Sequence, residues 1–219
     1  MNLNNYQRII NNLPKNVRLV TVSKHQSPDN ILQVYETGQR IFGENRALEL
    51  QEKYNFLPKD IQWHFIGHLQ TNKIKNIIAF VSLIHSIDSF KLLNEVNKEA
   101  QKINRVVDVL LEFHIADEMS KQGFIIDEIT EYLNSTNYKE LNNINIVGVM
   151  GMATFSDDEN KIRNEFKLLK SYFDILKENF FFNNDSFKEI SMGMSNDYQI
   201  AIEEGATLIR IGTAIFADI

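Results

Sequence analysis

The sequence predicts an α/β protein built as a single (β/α)8 barrel of the TIM type, and three observations predict it. Apolar, β-branched runs alternate with helix-period runs along the whole chain, eight times in all, as a closed parallel barrel requires. The length of 219 residues suits a compact version of that fold with one full core. An open doubly wound sheet would need fewer strands, and no GxGxxG follows the first of them. No Pro/Gly/Ser-rich linker divides the chain, so residues 1–219 are expected to form one domain.

Each element has a local reason. The opening MNLNNYQRIINNLP has the spacing of a short amphipathic helix and no apolar segment of signal-peptide length. The first strand is Val17–Ser23. Ser27, Pro28 and Asp29 then supply a capping hydroxyl, a first-turn proline and an acid for a helix over Pro28–Thr37, closed by Gly38. Strand Gln39–Phe42 follows, and the turn IFGEN (Ile41–Asn45) leads to helix Asn45–Tyr54, for which Asn45 can serve as N-cap. Strand Ile61–Ile66 precedes helix Leu69–Ala79, and strand Val81–Ile87 precedes helix Ser89–Ile103, headed by the Ser89 hydroxyl. Strand Val106–Phe113 is followed by helix Ile126–Asn134. Strand Ile144–Met150 leads to the long helix Asp157–Phe180, whose first turn Asp157-Asp158-Glu159 suits the helix dipole. Strand Phe187–Ser191, a turn on Gly193 and helix Asn196–Glu204, stopped by Gly205, come next. Strand Thr207–Ile211 then runs into Gly212-Thr213.

Composition excludes several classes. The formal charge is −6 with Lys and Arg dispersed, which is not a nucleic-acid surface; Lys73 and Lys75 read as one exposed helix face. Cysteine is missing, so disulfides and thiolate metal sites are excluded, in keeping with a reducing cytoplasm. No run reaches the roughly eighteen apolar residues of a membrane span. His64 and His68 stand four apart, but across a strand end and a turn, and no third ligand is suitably spaced, so no metal is expected.

In a barrel, ligand-binding residues gather at the C-terminal strand ends. The segment Phe187–Phe216 is the most informative. Its two strand ends, Ser191 to Ser195 and Gly212-Thr213, are rich in glycine and hydroxyl groups and lie beside Arg210. Backbone N–H groups at such turns make an anion cradle, which points to a phosphorylated small molecule. Arg210 sits within the apolar run LIRIGTAIF and needs a partner: a carboxylate such as Glu44, a ligand phosphate or a ring nitrogen. Lys24 ends the first strand, and alternation with Val20 and Val22 leans it into the barrel mouth. Apolar neighbours and a nearby cation disfavour its ammonium form, and the neutral amine is the form that condenses with an aldehyde. A solvated strand-end lysine is the other reading. Trp63 and Phe65 read as core, His64 as a ligand contact or a satisfied buried histidine, and Ser120-Lys121-Gln122-Gly123 as rim or loop.

Seven motifs, in order, resemble those of the pyridoxal phosphate homeostasis protein family. They are VSK (Val22–Lys24), FGEN (Phe42–Asn45), WHFIGHLQTNK (Trp63–Lys73), IHSIDS (Ile84–Ser89), SKQG (Ser120–Gly123), SMGMSND (Ser191–Asp197) and RIGTAIF (Arg210–Phe216). The resemblance spans nearly the whole chain. It implies a barrel like the N-terminal domain of alanine racemase, holding pyridoxal 5'-phosphate (PLP) as an aldimine on Lys24. By matching position, the turn Ser191–Ser195, which includes Met194, would hold the phosphate with Gly212 and Thr213. Arg210 would face the pyridine nitrogen, and Asn45 and His64 would line the ring pocket. Departures are HQSP after Lys24, RALELQEK after FGEN, EFHIADE at the fifth strand end, and Ala217 where the family has glycine. None removes an implied cofactor contact.

Arginine only donates, so Arg210 would keep the ring nitrogen unprotonated and the ring a poorer electron sink. With eight residues after Ile211, no second domain bearing a racemase's tyrosine base is expected. The implied function is intracellular PLP homeostasis, buffering or delivering the cofactor without efficient catalysis. The implied partners are PLP and PLP-dependent apoenzymes, with no nucleic acid or membrane, and a cytoplasmic monomer is expected. A small PLP-dependent amino-acid racemase or lyase is the alternative, and a barrel for another phosphate ester the third.

Overall fold

In the computed structural model, which describes residues 3–117, 122–135 and 137–216, the strands close into a parallel barrel. They are β1 (Arg18–Val22), β2 (Ile41–Glu44), β3 (Gln62–Phe65), β4 (Leu83–Ile87), β5 (Val107–Phe113), β6 (Ile144–Gly151), β7 (Glu189–Ser191) and β8 (Leu208–Ile211). Neighbours follow chain order, and β8 closes on β1 in the register Val20↔Arg210. Helices α1 (Leu3–Asn12), α2 (Pro28–Glu36), α3 (Ala47–Phe56), α4 (Ile74–Ile77), α5 (Phe90–Gln101), α6 (Ile126–Asn134), α7 (Glu159–Asn179), α8 (Tyr198–Glu203) and α9 (Thr213–Phe216) complete the order. Ser120, Lys121 and Ala217 lie outside the described residues.

Alternation along the strands separates two cores. Val20, Leu83, Leu110, Val147, Met150 and Leu208 point inward and plug the barrel. The outward residues, among them Leu19, Phe42, Trp63, Phe65, Val109 and Ile209, pack under the helices. Trp63 and Phe65 are buried there, as expected of core residues.

The caps expected at Ser27 and Ser89 are present, and Asp158, expected only within an acidic first turn, caps α7 from just outside it. Ser27 Oγ accepts from the Asn30 amide at 3.2 Å, and Ser89 Oγ accepts from Leu92 at 3.4 Å. Asp158 accepts from the amides of Asn160 and Lys161 at 3.0 and 3.2 Å. Gly38 and Gly205 follow α2 and α8. Three expectations change. Strand β2 lies two residues later than expected, with Glu44 inside it. The helix over Leu69–Ala79 is a 3-10 turn, Thr71–Lys73, plus the single turn α4. Arg46, not Asn45, is the N-cap of α3. Among the described residues no helix is long and apolar enough to cross a membrane.

Candidate functional site

Barrel closure brings the first and last strands together, so β7, β8, β1, β2 and β3 form one unbroken sector. Lys24, Asn45, His64, Ser191, Met194, Ser195, Arg210, Gly212 and Thr213 all lie in this sector or in the loops at its C-terminal ends, whereas Gln122 and Gly123 follow β5, outside it. Sheet pairing of β1 continues one residue past the strand, where the Ser23 amide donates to Gly43 O at 2.9 Å. Lys24 is the next residue, in an exposed turn, and makes no hydrogen bond or ion pair to a described residue. It stands four residues beyond Val20, the partner of Arg210. At about 3.3 Å per residue that is at most about 13 Å along the strand.

Arg210 points into the barrel and is 5% exposed. Its partner is not Glu44, which bonds Ser23 and Lys53 instead. Arg210 Nη1 donates to Ser191 Oγ at 2.6 Å and Nη2 to Gly151 O at 3.2 Å. A guanidinium carries five N–H groups, so donors remain. Burial lowers the Arg210 pKa to about 10, against the raising influence of Asp197 and Glu112, so the cation persists at neutral pH.

Ser191 also meets His85 Nδ1 at 2.8 Å, and His85 Nε2 meets His64 Nδ1 at 2.9 Å. Burial first, then the Arg18 charge, lowers the His64 pKa to about 3; burial likewise holds His85 well below its ordinary value. Both rings are therefore neutral, and a neutral imidazole donates through one nitrogen and accepts through the other. One direction gives every contact a donor and an acceptor: Arg210 donates to Ser191, the Ser191 hydroxyl to His85 Nδ1, and His85 Nε2–H to His64 Nδ1. The Ser191 hydroxyl thus serves the barrel interior, and His64 lies beneath the mouth at 4% exposure.

The cradle turn rests on Gly193, whose φ of +89° belongs to the left-handed region. A Cβ there would stand 2.6 Å from Ala201 Cβ, so α8 approaches the turn only because this residue is glycine. The Met194 amide is already taken by Asp197 Oδ1 at 2.5 Å, while Arg210 N–H donates to Gly193 O at 2.9 Å. The amides of Ser195 and Thr213 donate to no described residue. Gly212 packs its α-carbon against Val22, where a Cβ would meet Val22 O at 2.9 Å. On the other flank, Asn45 Oδ1 is buried without a partner among the described residues.

Sequence reasoning missed His85 and Asp197 as support, and missed Glu112 opposite Arg210. Alternation in LIHSI could have placed His85 inward with Leu83. Burial, then the like charge of Asp88, raises the Glu112 pKa to about 7, with Arg210 opposing. His68 pairs with Asp88 at 3.0 Å and stands apart from His64. Two cavities of about 210 and 670 Å3 lie outside the sector's mouth. The first adjoins the cradle turn at Asn196 and Asp197; the second separates α1 from α8.

Among the described residues the arrangement offers an unpaired amine, unpaired amides and a buried guanidinium at adjoining strand ends. That set can bind an anionic ester and condense with a carbonyl. The sequence profile of the alanine racemase N-terminal domain family matches residues 3–218. The pyridoxal phosphate homeostasis protein of Aquifex aeolicus is 39% identical over 202 residues, covering 92% of this chain and 86% of that protein. The protein of the same name from Homo sapiens is 36% identical over 214 residues, covering 92% of this chain and 76% of its own. PipY of Synechococcus elongatus superposes with a TM-score of 0.91 at 30% identity without PLP, and 0.88 at 29% identity with PLP bound. Each covers 99% of this chain and 100% of PipY.

Proposed function

This chain belongs to the pyridoxal phosphate homeostasis protein family, on the alanine racemase N-terminal-domain fold, and we propose that it binds PLP as a carrier that buffers and delivers the cofactor. One observation carries the reading. Lys24 and the Ser195 and Thr213 amides, all without a partner among the described residues, and Arg210 with donors to spare lie at the ends of neighbouring strands.

The residues suit the group. Bound PLP supplies an electrophilic aldehyde and a pyridine ring that serves as an electron sink. Lys24 would hold the group by its amine, the chemistry that condenses with an aldehyde with loss of water. The Ser191–Ser195 turn, with Gly212 and Thr213, would hold the phosphate through the Ser195 and Thr213 amides, while Met194, its amide bonded to Asp197, would shape the turn. Arg210, held by Ser191, would donate to the ring nitrogen. Asn45 offers its unpartnered oxygen to the ring pocket, and His64 supports that pocket from below.

The same features favour a carrier over a catalyst. An arginine that only donates leaves the ring nitrogen unprotonated and weakens the electron sink. Lys24 lies in an exposed turn, so water or another amine reaches the linkage, whereas catalysis on reactive intermediates calls for water exclusion. The partners that follow are PLP-dependent apoenzymes, met by a cytoplasmic, one-domain monomer.

A spectral titration with PLP tests this. Wild-type protein is expected to turn yellow and to lose the visible band on borohydride treatment; Lys24→Ala is expected to stay colourless. Unchanged colour in Lys24→Ala refutes the assignment. Amino-acid turnover above that of free PLP, lost in Lys24→Ala, would put a racemase or lyase in place of the carrier.

A further inference from the structure

A buried charge cluster lies directly behind the Lys24 turn, and every contact it makes to the turn falls on a residue flanking Lys24. Lys53 and Glu49 stand four apart on α3, and Glu44 ends β2. The Lys53 ammonium donates to Ser23 O at 2.8 Å, Glu44 Oε1 at 2.7 Å and Glu49 Oε1 at 2.7 Å. Its three N–H groups are thus all spent. Glu44 Oε1 also accepts from Ser23 Oγ at 2.5 Å, and Glu49 Oε1 from the His25 amide at 2.9 Å. The side chains of Lys53 and Glu44 are 6% and 0% exposed.

Burying a lysine is unfavourable unless each of its donors is matched. A solvated lysine on the outer face of α3 would carry no such penalty. Here the ammonium is matched only because it turns inward to a main-chain carbonyl. Pairing with β2 holds the chain as far as the Ser23 amide. Beyond it, the Ser23 carbonyl is fixed by Lys53 and by the Gln26 amide at 3.0 Å, and the His25 amide by Glu49. His25 takes a φ of +64°, uncommon for a residue with a side chain, and its amide bond to Glu49 holds it there.

We infer that Lys53, with Glu44 and Glu49, forms a clamp that positions Lys24 by fixing the two peptide groups on either side of it. These are positioning residues; they do not touch the ligand. The inference rests on the reading of Lys24 as the amine that bonds PLP. The clamp confines the amine's search to side-chain rotation, and so favours covalent bonding over loose binding.

The test uses the full chain as wild type and as the double variant Lys53→Met/Glu44→Gln, which removes both charges together. Three readouts are compared: exchange of the His25 amide without ligand, affinity for pyridoxine 5'-phosphate, which lacks the aldehyde, and the equilibrium yield of borohydride-trapped PLP. The expected result is His25 exchange accelerated by at least about tenfold, an unchanged pyridoxine 5'-phosphate affinity, and a covalent equilibrium about tenfold weaker, equal to about 1.4 kcal/mol. Unchanged exchange, unchanged covalent yield, or a parallel loss of pyridoxine 5'-phosphate binding each overturns the clamp. Should the double variant not fold, Glu49→Ala removes the outer partner and is read the same way. Wild-type protein that binds pyridoxine 5'-phosphate but never bonds PLP ends the reading of Lys24, and the exchange measurement then decides the clamp by itself.

Discussion

Replacing Ser191 with alanine removes one oxygen on which two buried groups depend. Its Oγ lies 2.6 Å from Arg210 Nη1 and 2.8 Å from His85 Nδ1, and those residues are 5% and 0% exposed. A hydrogen bond to a charged group contributes about 1.5–3 kcal/mol, and a buried partner left unsatisfied costs about 1–3 kcal/mol. The two figures overlap, because losing the bond is what strands the partner. A net cost of about 2–4 kcal/mol is therefore expected. In a chain of this length each kcal/mol moves Tm by about 2–4 °C, so Ser191→Ala should melt about 5–15 °C below wild type. The guanidinium, freed on one side, also loses its fixed aim at the ring nitrogen, and PLP affinity should fall about tenfold. Thermal denaturation followed by circular dichroism reads the first effect, and fluorescence titration with PLP the second. A Tm within 2 °C of wild type together with an unchanged Kd would refute the donor chain from Arg210 to His64.

Three further outcomes follow from the same geometry. Gly193→Ala forces a left-handed Cβ to within 2.6 Å of Ala201, so the cradle turn must shift; affinity for PLP and for pyridoxine 5'-phosphate should fall together, by about tenfold or more. Equal affinities by calorimetry would show that the turn does not hold the phosphate. Burial raises the Glu112 pKa to about 7 from the ordinary 4.5, so between those values the folded state keeps a proton that the unfolded state releases, and stability falls as pH rises. Glu112→Gln should remove that slope and gain about 1–3 kcal/mol at pH 8; urea unfolding that shows no gain sinks the assignment. His64 has the opposite sign. Its folded pKa of about 3 lies below the usual 6.5, so its contribution to stability is complete above 6.5 and is lost as pH falls toward 3. His64→Gln should flatten this acid limb, and an unchanged slope between pH 4 and 6.5 would contradict a neutral buried ring.

The strands were legible because each is a short apolar, β-branched run between turn signals. Ser27 and Ser89 announced their helices by chemistry that the structure repeats as hydrogen bonds, whereas Asp158, read as part of an acidic first turn, is the cap itself. Strand β2 came out two residues late for a physical reason. Gln39 looks like a strand residue but spends its amide on Leu19 O and Thr21 Oγ1, while Glu44 looks like a loop residue but is buried against Ser23 and Lys53. Asn45 reads equally as a rim residue and as a cap, because asparagine at a strand-to-helix turn often is one; its side-chain oxygen is buried with no partner among the described residues, and Arg46 is the N-cap.

The site was legible where motifs stand at strand ends. Its support was not. His85 meets Ser191 across 106 positions, and Lys53 meets the Ser23 carbonyl across 30. Nothing in the run LELQEKYNF marks one lysine as turned inward. Such pairings depend on barrel closure and on the docking of α3, which local periodicity does not encode.

The most direct test of the covalent reading is peptide mapping after borohydride reduction of the protein with PLP bound. A single modified peptide, carrying the reduced cofactor on Lys24, is the expected result. Modification spread over surface lysines, or seated on another lysine with Lys24 untouched, would contradict it.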